Sequence, residues 1–575
     1  MRSFKLLFVL FFIYGCFACK SNNKDGFDKE EALSDDVSDP HQLDNRLIFE
    51  KVLVSSSIKI RFLIENKMPE ERYRVGNEEL YSSVLIPRFY VNNHFLPAWV
   101  KAHDSLDKVF EMIDFIQQIE YQGLTPDHYH FKPLDSIRKI IQADAKLISD
   151  PNLLTTLDLL LTDAFFMVSS HLYNGKVNPE NLTAEWGIQR GKPELVLDEK
   201  LSKMLKSNSV NKFMEIFYPY NHGYKLMLEK AKWIKQRINE DFHLDIPMQA
   251  LVLDIFEDST YHHSLNKKLY FLGFTEQEKL SYADSLTTLH RAITDFQKAH
   301  GLNFDGKIGK ITLEALNTSL EERLKQLYVN MERLRWLPEK NGEKRILVNI
   351  ADFTLDFMQN TDTLLHIKTV VGKNFRQTPV FNAKMTYLVF SPTWTVPPGI
   401  LRNDILPEIA KNTNYLKEKN MLVLDRSGKS IPPETIDWKK AVKGSFPYMI
   451  RQQPGNHNAL GRVKFMFPNK YSVYLHDTPS KSLFSRDERI FSSGCIRVEK
   501  PAELAKLILN DSVQWNEEKI RSAMNLSSEK TVILKQPIDV YIYYLTAWGS
   551  NNQVNFRKDI YQRDDEVYQS LLTKK

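Results

Sequence analysis

Cysteine is nearly missing from this chain: there are three in 575 residues, and two of them, Cys16 and Cys19, stand close to the N-terminus. Beyond that region Cys495 is alone, so no internal disulfide can hold the folded part together. The chain also lacks a long basic run interleaved with aromatics, and its net charge is only +5, which argues against nucleic acid as a partner. The unbroken apolar run at residues 6–13 is too short to cross a bilayer. From about 44 to 271 there is no cluster of acids, bases or metal ligands; His128 and His130 come close, but they sit in a short loop before Pro133 without a nearby third ligand, which favours a structural role. What is present is length, enough for three or four domains each with its own core.

The first residues combine a positive flank at Arg2 and Lys5, the short apolar run and then small residues, the pattern of an export signal. A cysteine at the cleavage point resembles a lipoprotein signal, and Cys19, after Ala18 and before Lys20-Ser21, fits better as the lipidated residue than Cys16. Neither has Leu three residues upstream, so a plain cleaved signal is the alternative. Residues 1–19 are then the signal, and 20–45, acidic and poor in apolar residues, a disordered tether. An exported protein with one remaining thiol has a reason to keep it, and Cys495 is expected to be reactive rather than a buried filler.

The expected architecture is multidomain α+β. Residues 46–270 read as a mainly helical scaffold, with apolar positions at helical spacing from Leu153 to Leu172. Residues 271–320 hold two short helices across a glycine loop, 321–342 a charged linker helix, and 343–548 a mostly β domain. Strands are predicted at 345–350, 365–371, 386–390, 448–451, 471–476, 531–534 and 540–545. Between 399 and 445 a partly helical insertion interrupts the β pattern, a size of insertion that often forms a cap over a site. Residues 549–575 are left as a C-terminal tail.

The chemistry concentrates in Tyr474-Leu475-His476-Asp477-Thr478-Pro479 and Ser492-Ser493-Gly494-Cys495-Ile496-Arg497-Val498. A strand period of two puts Tyr474 and His476 on one face, with His476 at the strand end. Cys495 follows a glycine at the exit of a loop, where a thiol finds access, free N–H groups and a nearby cation in Arg497. The expectation is a cysteine nucleophile served by His476, with oxyanion donors around Gly494 and Cys495 and a possible helper in the Tyr474 hydroxyl. Arg497 has three open roles: lowering the thiol pKa, orienting the loop or binding a substrate carboxylate; a loop-locking ion pair is the structural alternative.

These residues resemble the L,D-transpeptidase catalytic domain of the YkuD type, whose signature is a histidine on a strand followed by Ser-x-Gly-Cys-x-Arg. Ser493 stands where histidine is more usual, as in the larger YcbB-like subfamily, which is also similar at Ser391-Pro392-Thr393-Trp394-Thr395-Val396-Pro397-Pro398, Asn458-Ala459-Leu460-Gly461, Lys464-Phe465-Met466-Phe467-Pro468-Asn469 and Asp559-Ile560-Tyr561. Phe296, Gln297, Gly301, Leu302, Asp305, Gly306, Gly309 and Thr312 resemble a peptidoglycan-binding module.

The resemblance implies an exported, periplasmic cell-wall enzyme, anchored by lipid, that binds peptidoglycan glycan and stem peptides and needs no metal or organic cofactor. Cys495 would attack a donor tetrapeptide beside its terminal D-alanine, His476 would move the proton, and a diamino acid on a neighbouring stem would take the acyl group in a 3→3 cross-link. Ser493 falls within the implied catalytic loop, and Trp394 and Ser492 are implied substrate contacts. Hydrolysis of the same acyl-enzyme would make an L,D-carboxypeptidase, and a noncatalytic wall-binding lipoprotein is the reading from another class. A sortase places its arginine on a separate strand, and the NlpC/P60 amidases reverse the order of cysteine and histidine.

Overall fold

The computed structural model describes residues 40–67, 71–101, 106–189, 192–220, 222–238, 245–246, 259–278, 282–338 and 343–574. Cys16, Cys19, the signal and most of the acidic tether lie outside the described residues.

Helix Pro151–Asn174 is the axle of the scaffold. Asp150 caps it by accepting the Asn152 N–H, and Pro151 takes the first position, where its missing N–H costs nothing. Leu154, Leu157, Leu160, Leu161, Phe165, Val168 and Leu172 are fully buried around it. Its two buried carboxylates have structural partners: Asp158 accepts from Tyr90 Oη (2.5 Å) and from the Ala98 and Trp99 amides, while Asp163 accepts from the Tyr81 and Ser82 amides. His130 Nε2 lies 2.8 Å from Asp163 Oδ2, and His128 Nδ1 lies 2.7 Å from Lys176 Nζ, which gives both histidines structural partners.

Helix Leu320–Arg335 bolts the domains together. Glu332 and Arg335 form a fully buried ion pair of 2.7 Å. Glu332 also accepts from Val177 N and Trp336 Nε1, and Arg335 donates to Gln122 O and Tyr224 Oη, all scaffold or linker groups. On the opposite side Arg333 donates to Asp564 Oδ1 (2.5 Å) in the C-terminal helix Asp564–Leu572.

Helices Ser259–Phe271, Tyr282–Ala299 and Lys310–Leu316 share one small core in which Leu265 and Leu269 pack with Leu289, Phe296 and Leu313. The first of these helices therefore joins the glycine-loop module, which begins earlier than the expected residue 271. Gln297 organises its turn: Nε2 donates to Lys307 O (2.8 Å) and Oε1 accepts from Gly306 N (2.9 Å). Gly306 has a φ of +70°, and a Cβ there would lie 2.3 Å from the His290 ring, so both backbone and space demand glycine.

The β domain supplies nine strands of a ten-stranded sheet that closes on itself. Strand Val380–Phe390 pairs with Lys530–Tyr543 on one side and with Val463–Met466 on the other, which completes the ring. Strand Trp186–Gly187 of the scaffold extends this sheet by pairing with Val380 and Phe381. The two strands expected at 531–534 and 540–545 are one, with a register shift between Ile533 and Ile538 where Pro537 cannot donate to the ladder.

Two further expectations change. The cap has its own four-stranded sheet, built from Trp394–Thr395, Met421–Leu424, Ser430–Ile431 and Met449–Gln452, and its own core around Ile409, Val423, Trp438 and Ile450, so it reaches beyond 399–445 at both ends. The expected tail is ordered structure: hairpin Ala547–Ser550 with Gln553–Phe556, then helix Asp564–Leu572. The hairpin meets the glycine-loop module through His300, whose ring stacks on Phe556, and through Arg557, which donates to Ala299 O.

Candidate active site

Two very short strands create the site. Leu475–His476 and Ile496–Val498 pair in parallel, Leu475 opposite Ile496 and His476 opposite Arg497, and the Ile496 N–H donates to Tyr474 O at 3.1 Å. Leu475 and Ile496 are fully buried in the core. With a side-chain period of two, Tyr474, His476, Cys495 and Arg497 then share the opposite face, a two-by-two array with Cys495 beside Tyr474 and Arg497 beside His476. The Tyr474 and His476 rings lie 5.7 Å apart.

The thiol is half-buried. Its hydrogen bond runs to Ser472 O, 3.7 Å from Sγ, while Tyr474 offers both its hydroxyl and its backbone to the sulfur. Among the described residues no hydrogen bond joins Cys495 to His476; the sheet places them on one face, and the Ser472 carbonyl holds the thiol. Ser472 has a φ of +56°, unusual for a residue with a Cβ. Asn469 enforces it, accepting from Tyr471 N and Val473 N and donating to Phe467 O and Val473 O. This turn is why the expected strand 471–476 shrinks to Leu475–His476.

Burial pushes the Cys495 thiol up, with hydrogen bonds from Tyr474 and the charge of Arg497 pulling the other way. His476 is held down at about 3, by burial first and then by Arg497, against the backbone oxygens of Asp477 and Leu460. Nδ1 lies 2.5 Å from Asp477 O, and a carbonyl only accepts, so we assign the ring proton to Nδ1 and leave Nε2 as the basic atom. Asp477 is itself fixed, its carboxylate accepting from Arg462 N and Lys481 Nζ. Burial and the nearby sulfur raise the Tyr474 phenol far above its ordinary value, which keeps it a donor. Arg497 has no acidic partner among the described residues, and its buried Nε is unpaired, which removes the loop-locking ion pair.

Gly494 has a φ of +113°, while a Cβ there would meet nothing nearer than Gln377 O at 3.8 Å, so glycine is required by the dihedral and not by crowding. Its N–H, expected to face an oxyanion, donates instead to Ser492 Oγ at 3.2 Å. Ser492, expected as a substrate contact, is buried, and its hydroxyl donates to Cys495 O (2.5 Å), so it staples the turn. Ser493 is exposed and accepts from Arg376 Nη1 (3.0 Å). Trp394 packs on the cap core in strand Trp394–Thr395. Arg376, Thr378 and Ser472 hold the loop or the thiol and were not singled out by sequence reasoning, for which the turn dipeptide Pro468-Asn469 was the available signal; Tyr561, quoted there only within the Asp559-Ile560-Tyr561 motif, backs the turn at Thr378.

The fold and the array define a capped, closed-sheet domain with a thiol and an imidazole on one face, carried by a helical scaffold. Residues 343–532 match the family model of the L,D-transpeptidase catalytic domain, YkuD; residues 84–230 match that of a scaffold domain, and 263–316 that of a peptidoglycan binding domain. The chain therefore carries an L,D-transpeptidase catalytic domain of the YkuD type together with a scaffold domain and a peptidoglycan-binding domain. A curated "Putative L,D-transpeptidase" of Haemophilus influenzae (strain ATCC 51907 / DSM 11121 / KW20 / Rd) is 36% identical over 252 residues, 44% of this chain and 50% of that protein. The match thus spans about half the length of that relative. Among solved structures, L,D-transpeptidase 1 of Mycobacterium tuberculosis is 12% identical, with 36% of this chain and 64% of that chain covered and a TM-score of 0.15. An L,D-transpeptidase (Yku) from Stackebrandtia nassauensis is 14% identical, with 49% and 90% covered and a TM-score of 0.19. At those scores the overlays carry no argument.

Proposed function

We propose that the protein cross-links peptidoglycan by L,D-transpeptidation through an acyl-enzyme on Cys495. The observation that carries the reading is the array itself: a thiol, a neutral imidazole, a phenol donor and a guanidinium with no acidic partner among the described residues, on one face of the sheet. In the first step the Cys495 sulfur attacks the carbonyl between the diamino acid and the terminal D-alanine of a donor tetrapeptide, and His476 Nε2 takes the thiol proton. This needs the thiol to leave Ser472 O for the imidazole. The oxyanion is held by the Cys495 N–H and the Tyr474 hydroxyl, since the Gly494 N–H is engaged within the turn. The C–S bond forms, the C–N bond breaks, and D-alanine leaves with the proton from His476.

In the second step a side-chain amine of a neighbouring stem attacks the thioester, the new C–N bond forms, the C–S bond breaks and the thiol regains its proton. Arg497, two residues past the nucleophile and without an acidic partner among the described residues, receives the carboxylate of the departing D-alanine. The module around Gln297 holds the polymer. Export to the periplasm and lipidation at Cys19 are inferred from the N-terminal residues alone.

The test is muropeptide analysis after incubation with tetrapeptide-bearing peptidoglycan. The reading expects 3→3 linked dimers and free D-alanine, both absent with Cys495→Ala. Tripeptides alone would make the protein a carboxypeptidase, and no product at all would leave a noncatalytic wall-binding protein.

A further inference from the structure

The mechanism above leaves Arg376 unused. It lies in turn 373–379, between strands Asp362–Gly372 and Val380–Phe390, and this turn follows the nucleophile loop residue by residue. Lys373 N donates to Ser492 O (3.0 Å), Arg376 Nη1 to Ser493 Oγ (3.0 Å) and Thr378 Oγ1 to Gly494 O (2.9 Å). The same Arg376 nitrogen donates to Asp404 Oδ2 at 2.7 Å, and Asp404 belongs to the cap. A guanidinium NH2 has two hydrogens; here one serves the loop that carries Cys495 and the other serves the cap.

The turn behind Arg376 is rigidly backed. Thr378 N donates to Tyr561 Oη (3.3 Å), Tyr561 Oη donates to Gly372 O (2.5 Å), and Arg563 Nη2 donates to Gln377 Oε1 (2.6 Å). At Gly372 a Cβ would lie 2.1 Å from Arg376 O, so the turn is closed too tightly to give way. Arg376 therefore extends from a fixed base toward two parts whose mutual placement matters for catalysis.

We propose that Arg376 is a positioning residue that holds the nucleophile loop through Ser493 and tethers the cap only weakly through Asp404. This rests on the reading of Cys495 as the acylated thiol. The two arms differ in weight. The Asp404 side chain is 51% exposed against 21% for Arg376, so the ion pair is largely solvated and worth at most about five-fold in an equilibrium. The contact to Ser493 is a charge-assisted hydrogen bond on the loop itself, where a small displacement of the thiol is felt directly. The cap can thus leave its seat at low cost for a bulky stem peptide to enter, while Ser493 and the loop remain held.

The experiment measures Cys495 acylation by a carbapenem, followed as intact mass, alongside kcat and KM for a tetrapeptide donor, in the full chain. Arg376→Ala is expected to slow acylation by both reagents roughly ten- to a hundred-fold. Arg376→Lys, whose ammonium has hydrogens for both partners, is expected to recover most of that rate. Asp404→Ala is expected to leave carbapenem acylation within about two-fold and to change KM for the tetrapeptide by up to about five-fold with kcat unchanged. The proposal is overturned if Arg376→Ala acylates at the wild-type rate, if Arg376→Lys is no better than Arg376→Ala, or if Asp404→Ala slows the carbapenem as much as Arg376→Ala does. Should Arg376→Ala fail to fold, the proposal is overturned if Arg376→Lys acylates more than about ten-fold slower than wild type, or if Asp404→Ala slows carbapenem acylation by more than about two-fold. A wild-type protein that folds and does not acylate would instead overturn the Cys495 reading.

Discussion

His476 stands opposite Arg497 in the parallel register of two short strands, and the guanidinium beside it has no acidic partner among the described residues. Burial first, and then the fixed positive charge of Arg497, oppose protonation of the imidazole, and together they hold His476 at about 3. The site therefore rests as a thiol and a neutral imidazole, not as a thiolate–imidazolium ion pair. An imidazole so far below its ordinary value is unprotonated at neutral pH.

The pH profile of acylation follows from this. The reactive state, neutral His476 with a protonated thiol raised above its ordinary value, is populated from about pH 3 to beyond the usual thiol range. Acylation kcat/KM for the tetrapeptide should show no inflection near 6.5, the ordinary value for histidine. In Arg497→Gln the opposing charge is gone, so the His476 pKa rises and the acid limb moves up toward neutrality. A wild-type inflection near 6.5 would show that the imidazole is not held neutral.

Gly494→Ala should keep the fold and lose most activity. The φ of +113° is one that a residue with a Cβ rarely adopts, at a cost of about 1–3 kcal/mol, and nothing lies close enough to clash. The loop will relax and carry the thiol away from its partners. Acylation rate and thermal midpoint measured together separate this from unfolding; an alanine variant with the wild-type rate would contradict it.

Glu332→Ala should be among the most damaging substitutions away from the site. It leaves Arg335 buried without its charge partner and strands the Val177 and Trp336 N–H groups. Breaking a buried pair in this way costs about 3–5 kcal/mol. Denaturant unfolding should show the loss in the transition that reports the scaffold, and a change under about 1 kcal/mol would contradict the bolt role of helix Leu320–Arg335.

Gln297→Leu should separate wall binding from chemistry. The amide is buried and joins Asp305, Gly306, Lys307 and Thr312, so an apolar replacement leaves the turn's N–H and C=O groups unsatisfied. Pull-down on insoluble peptidoglycan should weaken while carbapenem acylation of Cys495 stays unchanged. Loss of both together would mean that the module is needed to hold the catalytic domain.

What was readable in the sequence was local. The period of two in Tyr474 and His476, the glycine before Cys495 and the Gln297-to-Thr312 pattern each concern residues near one another, where strand and turn geometry decide the outcome. The α+β class was legible from the change of hydrophobic period. Arg376 was not, because its partner Ser493 lies 117 residues away and only the closed sheet brings them together. Ser472 was hidden for another reason: serine does not demand a positive φ, and the strain is imposed by Asn469. Gly494 and Ser492 were placed in the right loop with the wrong duties, since which N–H faces outward depends on a hydrogen bond inside the turn.

The measurement closest to the central claim is intact-mass analysis of the full chain after brief exposure to a tetrapeptide donor, with Cys495→Ala as control. The account predicts a covalent adduct of the donor less D-alanine, mapped to Cys495, that disappears when an acceptor amine is added and never forms on the alanine variant. A folded wild-type protein that carries no adduct and releases no D-alanine, or an adduct that persists in Cys495→Ala, would contradict it.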